Sequence, residues 1–224
     1  MRKIPVFLFL LLLLCKPVQA AQGKYIALTF DDGPSGRFTQ ALLDGLQARN
    51  VPATFFLCGY RLETYGDLAV QIRAHGHEIG LHGYSHDPMA TMSHAEITSE
   101  LTRTRALLPR NTLLNLLRTP GGQHTDGIRQ CARQANLALI HWSVDPKDWA
   151  TRDPALIHQR IMAQVHDGGV ILMHDMSESS VRAALQAVDD LLSQGYRFLT
   201  VSQLAMLRLR HLSPGESFCA FPPC

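Results

Sequence analysis

The sequence predicts one α/β domain folded as a distorted, incomplete (β/α)7 TIM-like barrel. Two observations carry this: apolar runs alternate with amphipathic segments seven times, and several different strands end in side chains capable of chemistry. Alternation alone fits a barrel or a doubly wound open sheet. In an open sheet the polar strand ends gather at one switch point, whereas here Asp31 and Asp32, His82, Arg118, Asp145 and His174 close five different runs. A ring of strands brings all of them to one mouth, and seven units fall one short of the usual eight.

The units follow in order. Tyr25 to Phe30 reads as a buried strand followed by a helix over Phe38 to Arg49, with apolar residues at helical spacing. Strand Ala53 to Cys58 leads to helix Tyr65 to Ala74, strand Glu78 to His82 to helix Ser93 to Leu108, and strand Asn115 to Arg118 to helix Asp126 to Asn136. Strand Ala138 to Val144 precedes helix Pro154 to His166, strand Val170 to His174 precedes helix Ser180 to Ser193, and strand Phe198 to Val201 ends in a short helix, Ser202 to Arg210. Ser93 with Glu96 forms a capping box, and Pro154 suits a first helical turn.

Composition and the chain ends set limits. At 224 residues, 46% apolar and 18% charged, the chain has ordinary globular composition, and a formal net charge of +2 without a basic run gives no footprint for nucleic acid. Arg2 and Lys3, the apolar run Val6 to Leu14 and the small-residue site ending at Ala20 read as a secretory signal peptide over residues 1–20. The alternative is an uncleaved anchor; lipidation at Cys15 is disfavoured by the bulky Leu14 before it. The expected location is therefore periplasmic or extracellular, with no membrane span after cleavage. Residues 21–212 form the predicted domain, and 213–224, with three prolines, an irregular tail. Cys58, Cys131, Cys219 and Cys224 are candidates for two disulfides in an oxidising compartment, with buried free thiols as the alternative for the first two.

The chemistry starts at Thr29-Phe30-Asp31-Asp32-Gly33-Pro34, where two adjacent carboxylates follow an apolar run. Like charges so placed need a positive partner. His82 and His86, at i and i+4 on the same rim, supply two imidazoles, and with one carboxylate they make a three-ligand set leaving open positions, as in a catalytic zinc site.

These residues, with Arg118-Thr119-Pro120-Gly121-Gly122, Asp145-Pro146-Lys147-Asp148-Trp149 and Leu172-Met173-His174, resemble the five motifs of the polysaccharide deacetylases, the NodB-homology or carbohydrate esterase family 4. The resemblance spans Tyr25 to about Val201. It implies a distorted barrel with a divalent metal, most commonly zinc with cobalt as an alternative, that removes N-acetyl groups from N-acetylglucosamine glycans or O-acetyl groups from xylan. By resemblance Asp32, His82 and His86 are the metal ligands, Asp31 the base, His174 the general acid, Asp145 the partner of His174, and Arg118 the partner of Asp31. An amide after Pro120, at Gly121, is the implied oxyanion donor, and Trp149 and Leu172 line the acetyl pocket and groove. Asp148 is expected to be structural or exposed. Two departures stand out: Gly83 replaces the usual Ser or Thr after the first histidine, and Gly121 replaces an aromatic that walls the sugar groove. The function expected is N-deacetylation of a cell-envelope glycan or oligosaccharide; the alternatives are an O-acetyl esterase, a small-amide hydrolase, or a non-catalytic glycan-binding barrel.

Overall fold

In the computed structural model the described residues are 23–209 and 211–222. The first strand, β1 (Lys24–Asp31), is buried from its second residue onward. Its alternate residues go to two different places, as strand periodicity requires. Ile26, Leu28 and Phe30 join the larger apolar cluster with the covering helices, whereas Tyr25 and Ala27 join a second cluster inside the curled sheet. Continuing the inward set leads to Thr29 and then Asp31, so one strand face runs from apolar to charged.

The other elements repeat the pattern. They are α1 (Arg37–Ala48), β2 (Thr54–Leu57), α2 (Gly59–Ala74), β3 (Glu78–Leu81), α3 (His94–Leu107), β4 (Leu116–Leu117), α4 (Asp126–Gln134), β5 (Ala138–Ile140), α5 (Pro154–Gln164), β6 (Val170–His174), α6 (Glu178–Ser193), β7 (Tyr196–Phe198), α7 (Val201–Arg208) and β8 (Ser217–Phe218). The strand order is β6-β1-β2-β3-β4-β5-β8, and β7 pairs with the first residues of β1. Every ladder is parallel, from Asp31 against His174 on one side of β1 to Ile140 against Phe218 at β8. Between β8 and β6 the ring is joined by single bridges, Gly169 to Ala220 and Val144 to Ile171. The sheet is therefore a curled, incompletely closed barrel in one α/β domain, as the alternation predicts.

The floor of the barrel is built by α7. Its first amides, Val201 N and Ser202 N, donate to Thr54 Oγ1 (3.0 Å) and Glu78 Oε2 (3.1 Å), the opening residues of β2 and β3. Gly80 has no side chain because Phe56 fills the interior beside it: a Cβ there would lie 2.5 Å from the Phe56 ring.

Three local readings change. The segment after 212 is not wholly irregular, since Ser217–Phe218 pairs with β5 and Phe221 is fully buried. Helix α2 starts at Gly59, six residues early, and carries a kink at Tyr65 (φ −123°, ψ 32°); two glycines in its first half weaken the helical signal. Strand β7 ends at Phe198 because Thr200 caps α7 in a capping box with Gln203. Cys58 and Cys131 are free, buried thiols, which removes them as disulfide candidates; Cys219 has a partner, and Cys224 lies outside the described residues. Burial and the nearby carboxylates push the Cys58 thiol far up, so it is inert. The predicted leader, residues 1–20, also lies outside the described residues. Among those described, no helix is long and apolar enough to cross a membrane.

Candidate active site

The site sits where the strands end. Asp31 is the last residue of β1, His82 directly follows β3, Arg118 directly follows β4 and His174 closes β6. Asp31 and His174 are register partners on neighbouring strands. The fold thus places four of the predicted residues at one mouth, and the turn after β1 adds Asp32.

Asp32, His82 and His86 offer ligand atoms that all lie within 4.8 Å of one another. Asp32 Oδ1 lies 3.2 Å from His82 Nε2 and 3.0 Å from His86 Nε2. This is close to the ~3.3 Å that separates neighbouring nitrogen and oxygen ligands of a tetrahedral cation bound at 2.0–2.1 Å. The same oxygen is buried and has no hydrogen bond. His82 Nδ1 is 2.7 Å from the Arg118 carbonyl oxygen, so that nitrogen carries a proton and Nε2 is the atom turned to the space it shares with Asp32 and His86. Burial opposes charge on Asp32, but the two imidazoles outweigh it and hold the carboxyl well below the usual carboxylate range. The donor set, its spacing and the orphaned oxygen fit a divalent cation.

Two of these three residues have left-handed backbone, Asp32 (φ 70°) and His86 (φ 70°). Such conformations in non-glycine residues persist only where the surroundings impose them. Around Asp32 the surroundings are Asp175 and its partners. Asp175 is fully buried; Thr39 Oγ1 donates to its Oδ2 and Ser35 Oγ to its carbonyl oxygen, so the turn after Asp32 wraps around it. A Cβ on Gly33 would fall 2.5 Å from Asp175 Oδ1, which explains the glycine of the Asp-Asp-Gly-Pro motif. Burial pushes the Asp175 carboxyl up to about 6, against the Thr39 hydrogen bond.

The loop from His82 to His86 is held by Glu100 of α3, which sequence reading missed. Its Oε2 accepts from Tyr84 N (2.6 Å), Ser85 N (2.8 Å) and Ser85 Oγ (3.1 Å). Gly83 between the two histidines has φ 82°, and a Cβ there would lie 3.2 Å from that same Glu100 oxygen and 2.8 Å from Met89 Cε. The missing Ser or Thr at Gly83 therefore does not leave the loop unsupported.

Arg118 is fully buried and spends its guanidinium on four acceptors. Nη1 donates to Asp31 Oδ1 and Thr29 Oγ1, both at 2.7 Å, Nε to Ile140 O (3.0 Å) and Nη2 to His141 O (2.9 Å). It also stacks 4.2 Å from the Phe56 ring centroid. Burial pulls this guanidinium below its usual range and Asp31 opposes that pull. Buried charges need this degree of pairing.

The partner of His174 is Asp148, not Asp145. Asp148 Oδ1 lies 2.8 Å from His174 Nδ1, its Oδ2 accepts from His174 N (2.9 Å), and it is buried to 1% exposure. Lys147, at φ 54°, turns the chain between the two aspartates. Asp145 is left to cap that turn, accepting from Lys147 N at 2.9 Å. Burial opposes the charge of His174, but Asp148, with smaller contributions from Asp31 and Asp32, pushes the imidazole up to about 9. Trp149 is 61% exposed and Leu172, two residues before His174 on the same strand face, is buried. Pro120 is buried, and Gly121 has φ 68° with open space where a Cβ would be, so the groove lacks a wall there.

Residues 19–140 match the family model described as polysaccharide deacetylase. The chain belongs to the polysaccharide deacetylase family. Relatives include the peptidoglycan-N-acetylmuramic acid deacetylase PdaC of Bacillus subtilis, 36% identical over 183 residues, which cover 81% of this chain and 38% of that protein. The solved structure of the peptidoglycan deacetylase PdaC matches with a TM-score of 0.80 at 34% identity, covering 84% of this chain and 93% of the solved chain. A peptidoglycan-N-acetylglucosamine deacetylase of Bacillus cereus is 34% identical over 194 residues (84% of this chain, 90% of that protein), and a chitooligosaccharide deacetylase of Bradyrhizobium 36% over 160 residues (68% and 71%). Against PdaC, the present polysaccharide deacetylase chain spans about two fifths of the full length.

Proposed function

We propose that this protein is an exported, metal-dependent hydrolase that removes N-acetyl groups from N-acetylglucosamine-containing glycans of the cell envelope, or from oligosaccharides derived from them. The observation that carries the reading is the division of the adjacent aspartates: Asp32 faces two imidazoles and Asp31 faces a buried guanidinium. Asp32, His82 and His86 would hold the cation, zinc by the nature of the donors. When bound, such a cation supplies Lewis-acid polarisation and lowers the pKa of water.

The chain's own groups then have separate tasks. Asp31, held and oriented by Arg118, takes the proton of the attacking water. The backbone amide at Gly121 donates to the oxygen that gains charge as the acetyl carbonyl becomes tetrahedral. His174, protonated through Asp148, delivers a proton to the departing amine, so the products are acetate and a free amino sugar. Trp149 and Leu172 form the walls against which the sugar and its acetyl group rest. A barrel that only bound glycan would have no use for base, ligand set and protonated imidazole together. Peptidoglycan is the envelope glycan named for two of the relatives above, and the export signal read in residues 1–20 fits that location.

The test is acetate release from peptidoglycan, chitooligosaccharides and acetylxylan by protein stripped with a strong chelator and reloaded with zinc or cobalt. The reading predicts release from N-acetylated glycans that stops on chelation and returns with metal. Release from acetylxylan alone would convert it to an O-acetyl esterase, and glycan binding without release under every metal would sink it.

A further inference from the structure

Beside His174 lies a cavity of about 470 Å³ that takes no part in the chemistry above; Phe38, Arg152, Met176, Ser177, Glu178 and Arg182 are among its lining. Met176 and Ser177 directly follow His174 and Asp175, and Arg152 comes four residues after Asp148. Two to four residues of chain reach at most ~7–14 Å, so the cavity is within one sugar ring or two of the proton donor.

Two guanidinium groups line it, those of Arg152 and Arg182. Both are exposed and make no ion pair among the described residues, and the one hydrogen bond of the Arg152 guanidinium goes to the neighbouring Thr151 carbonyl. Arg37, outside the lining and in no ion pair among the described residues, lies with its Cζ 4.7 Å from the centroid of the Phe38 ring that lines the cavity. Glu178 is the one carboxylate in the lining; Asp153, outside it, turns its Oδ1 to the first amides of α5 (2.9 and 3.3 Å). Two arginines against one glutamate give the lining a local excess of one positive charge.

We propose that this cavity is a carboxylate subsite: it takes an acidic group on the sugar next to the one being deacetylated, and makes the enzyme select acidic over neutral N-acetylated glycans. The proposal rests on the glycan-deacetylase reading for the identity of the reacting sugar. Planar guanidinium groups match a carboxylate with paired hydrogen bonds, and Phe38 offers an apolar surface for a sugar face. In envelope glycans the carboxylate comes either from the lactyl ether of muramic acid or from the peptide attached to it.

The experiment compares the zinc-loaded wild type with the Arg152→Ala/Arg182→Ala variant, which changes two exposed side chains outside the catalytic set. Binding by calorimetry and acetate release are measured on four probes: neutral tetra-N-acetylchitotetraose, a peptide-free N-acetylglucosamine–N-acetylmuramic acid oligomer, its carboxyl methyl ester, and the peptide-bearing oligomer. The wild type should bind the free acids more tightly than the ester and the chitotetraose. The variant should lose on the order of tenfold in affinity for the acids alone. A loss on the peptide-free acid assigns the lactyl carboxylate, and a loss confined to the peptide-bearing oligomer assigns the peptide; either supports the subsite. Equal affinities for acid and ester in the wild type, or equal losses on acid and neutral probes, would overturn it. No acetate from any probe, with the acid preference in binding intact, would overturn the deacetylase reading and leave the subsite standing.

Discussion

Replacing Asp148 by Asn tests the proton-donor half of the site. In the wild type both Asp148 oxygens accept from His174, one from the ring Nδ1 at 2.8 Å and one from the backbone N at 2.9 Å. Asn turns one acceptor into a donor and removes the charge. Moving an imidazole from 6.5 to about 9 corresponds to ~3.4 kcal/mol in favour of the imidazolium. Burial works against the charge throughout; Asp148 is the main group that raises it, and a bound cation offsets the smaller shares of Asp31 and Asp32. The variant imidazole should therefore titrate at or below its ordinary value. At pH 8 that leaves roughly 30-fold fewer molecules with His174 protonated. The assay is the pH profile of kcat/KM: its alkaline limb should lie near pH 9 in the wild type and move below pH 7 in the variant. Stability follows the same linkage. Because His174 is raised on folding, its contribution is complete below about pH 6.5 and is lost as the pH rises through about 9. The Tm gap between wild type and variant should thus be widest near pH 6 and close above pH 9. An unchanged alkaline limb in Asp148→Asn would refute the assignment of Asp148 as the group that keeps His174 charged.

Three further outcomes follow from the geometry. Glu100→Ala removes the acceptor of three hydrogen bonds in the loop between the histidine ligands, and should weaken zinc binding ~10–100-fold by competition with a chromophoric chelator; Glu100→Gln, which keeps an acceptor, should recover part of that loss. Gly83→Ser, although it restores the residue usual in the family, should destabilise the fold by ~1–2 kcal/mol in denaturant unfolding, because φ there is 82° and Glu100 already occupies the space. Arg118→Met should abolish turnover and cost at least ~3 kcal/mol of stability, since it strands the buried Asp31 charge.

Much of this site was legible because barrel geometry converts a one-dimensional rule into a place. A polar residue closing an apolar run becomes a residue at the mouth, and Asp31, His82, Arg118 and His174 all follow that rule. The choice between Asp145 and Asp148 did not follow from it. Both lie beyond the last residue of β5, where the path depends on a left-handed turn at Lys147 that a lysine does not advertise. Burial of Asp148 beside an exposed Trp149 reverses what either residue type suggests alone. Glu100 was hidden for a different reason: it is a helix residue fourteen positions past His86, and its role exists only through the packing of α3 against the ligand loop. The seven-unit pattern likewise gave the barrel but not β8, whose two paired residues are too short to leave a periodic trace.

The central claim is that adjacent aspartates have separate jobs, and a paired measurement of zinc content and acetate release in Asp31→Asn and Asp32→Asn tests it. The account predicts that Asp31→Asn keeps one zinc per chain and loses turnover, whereas Asp32→Asn loses both. An Asp31→Asn variant with near-normal acetate release, or one that no longer binds zinc, would contradict it.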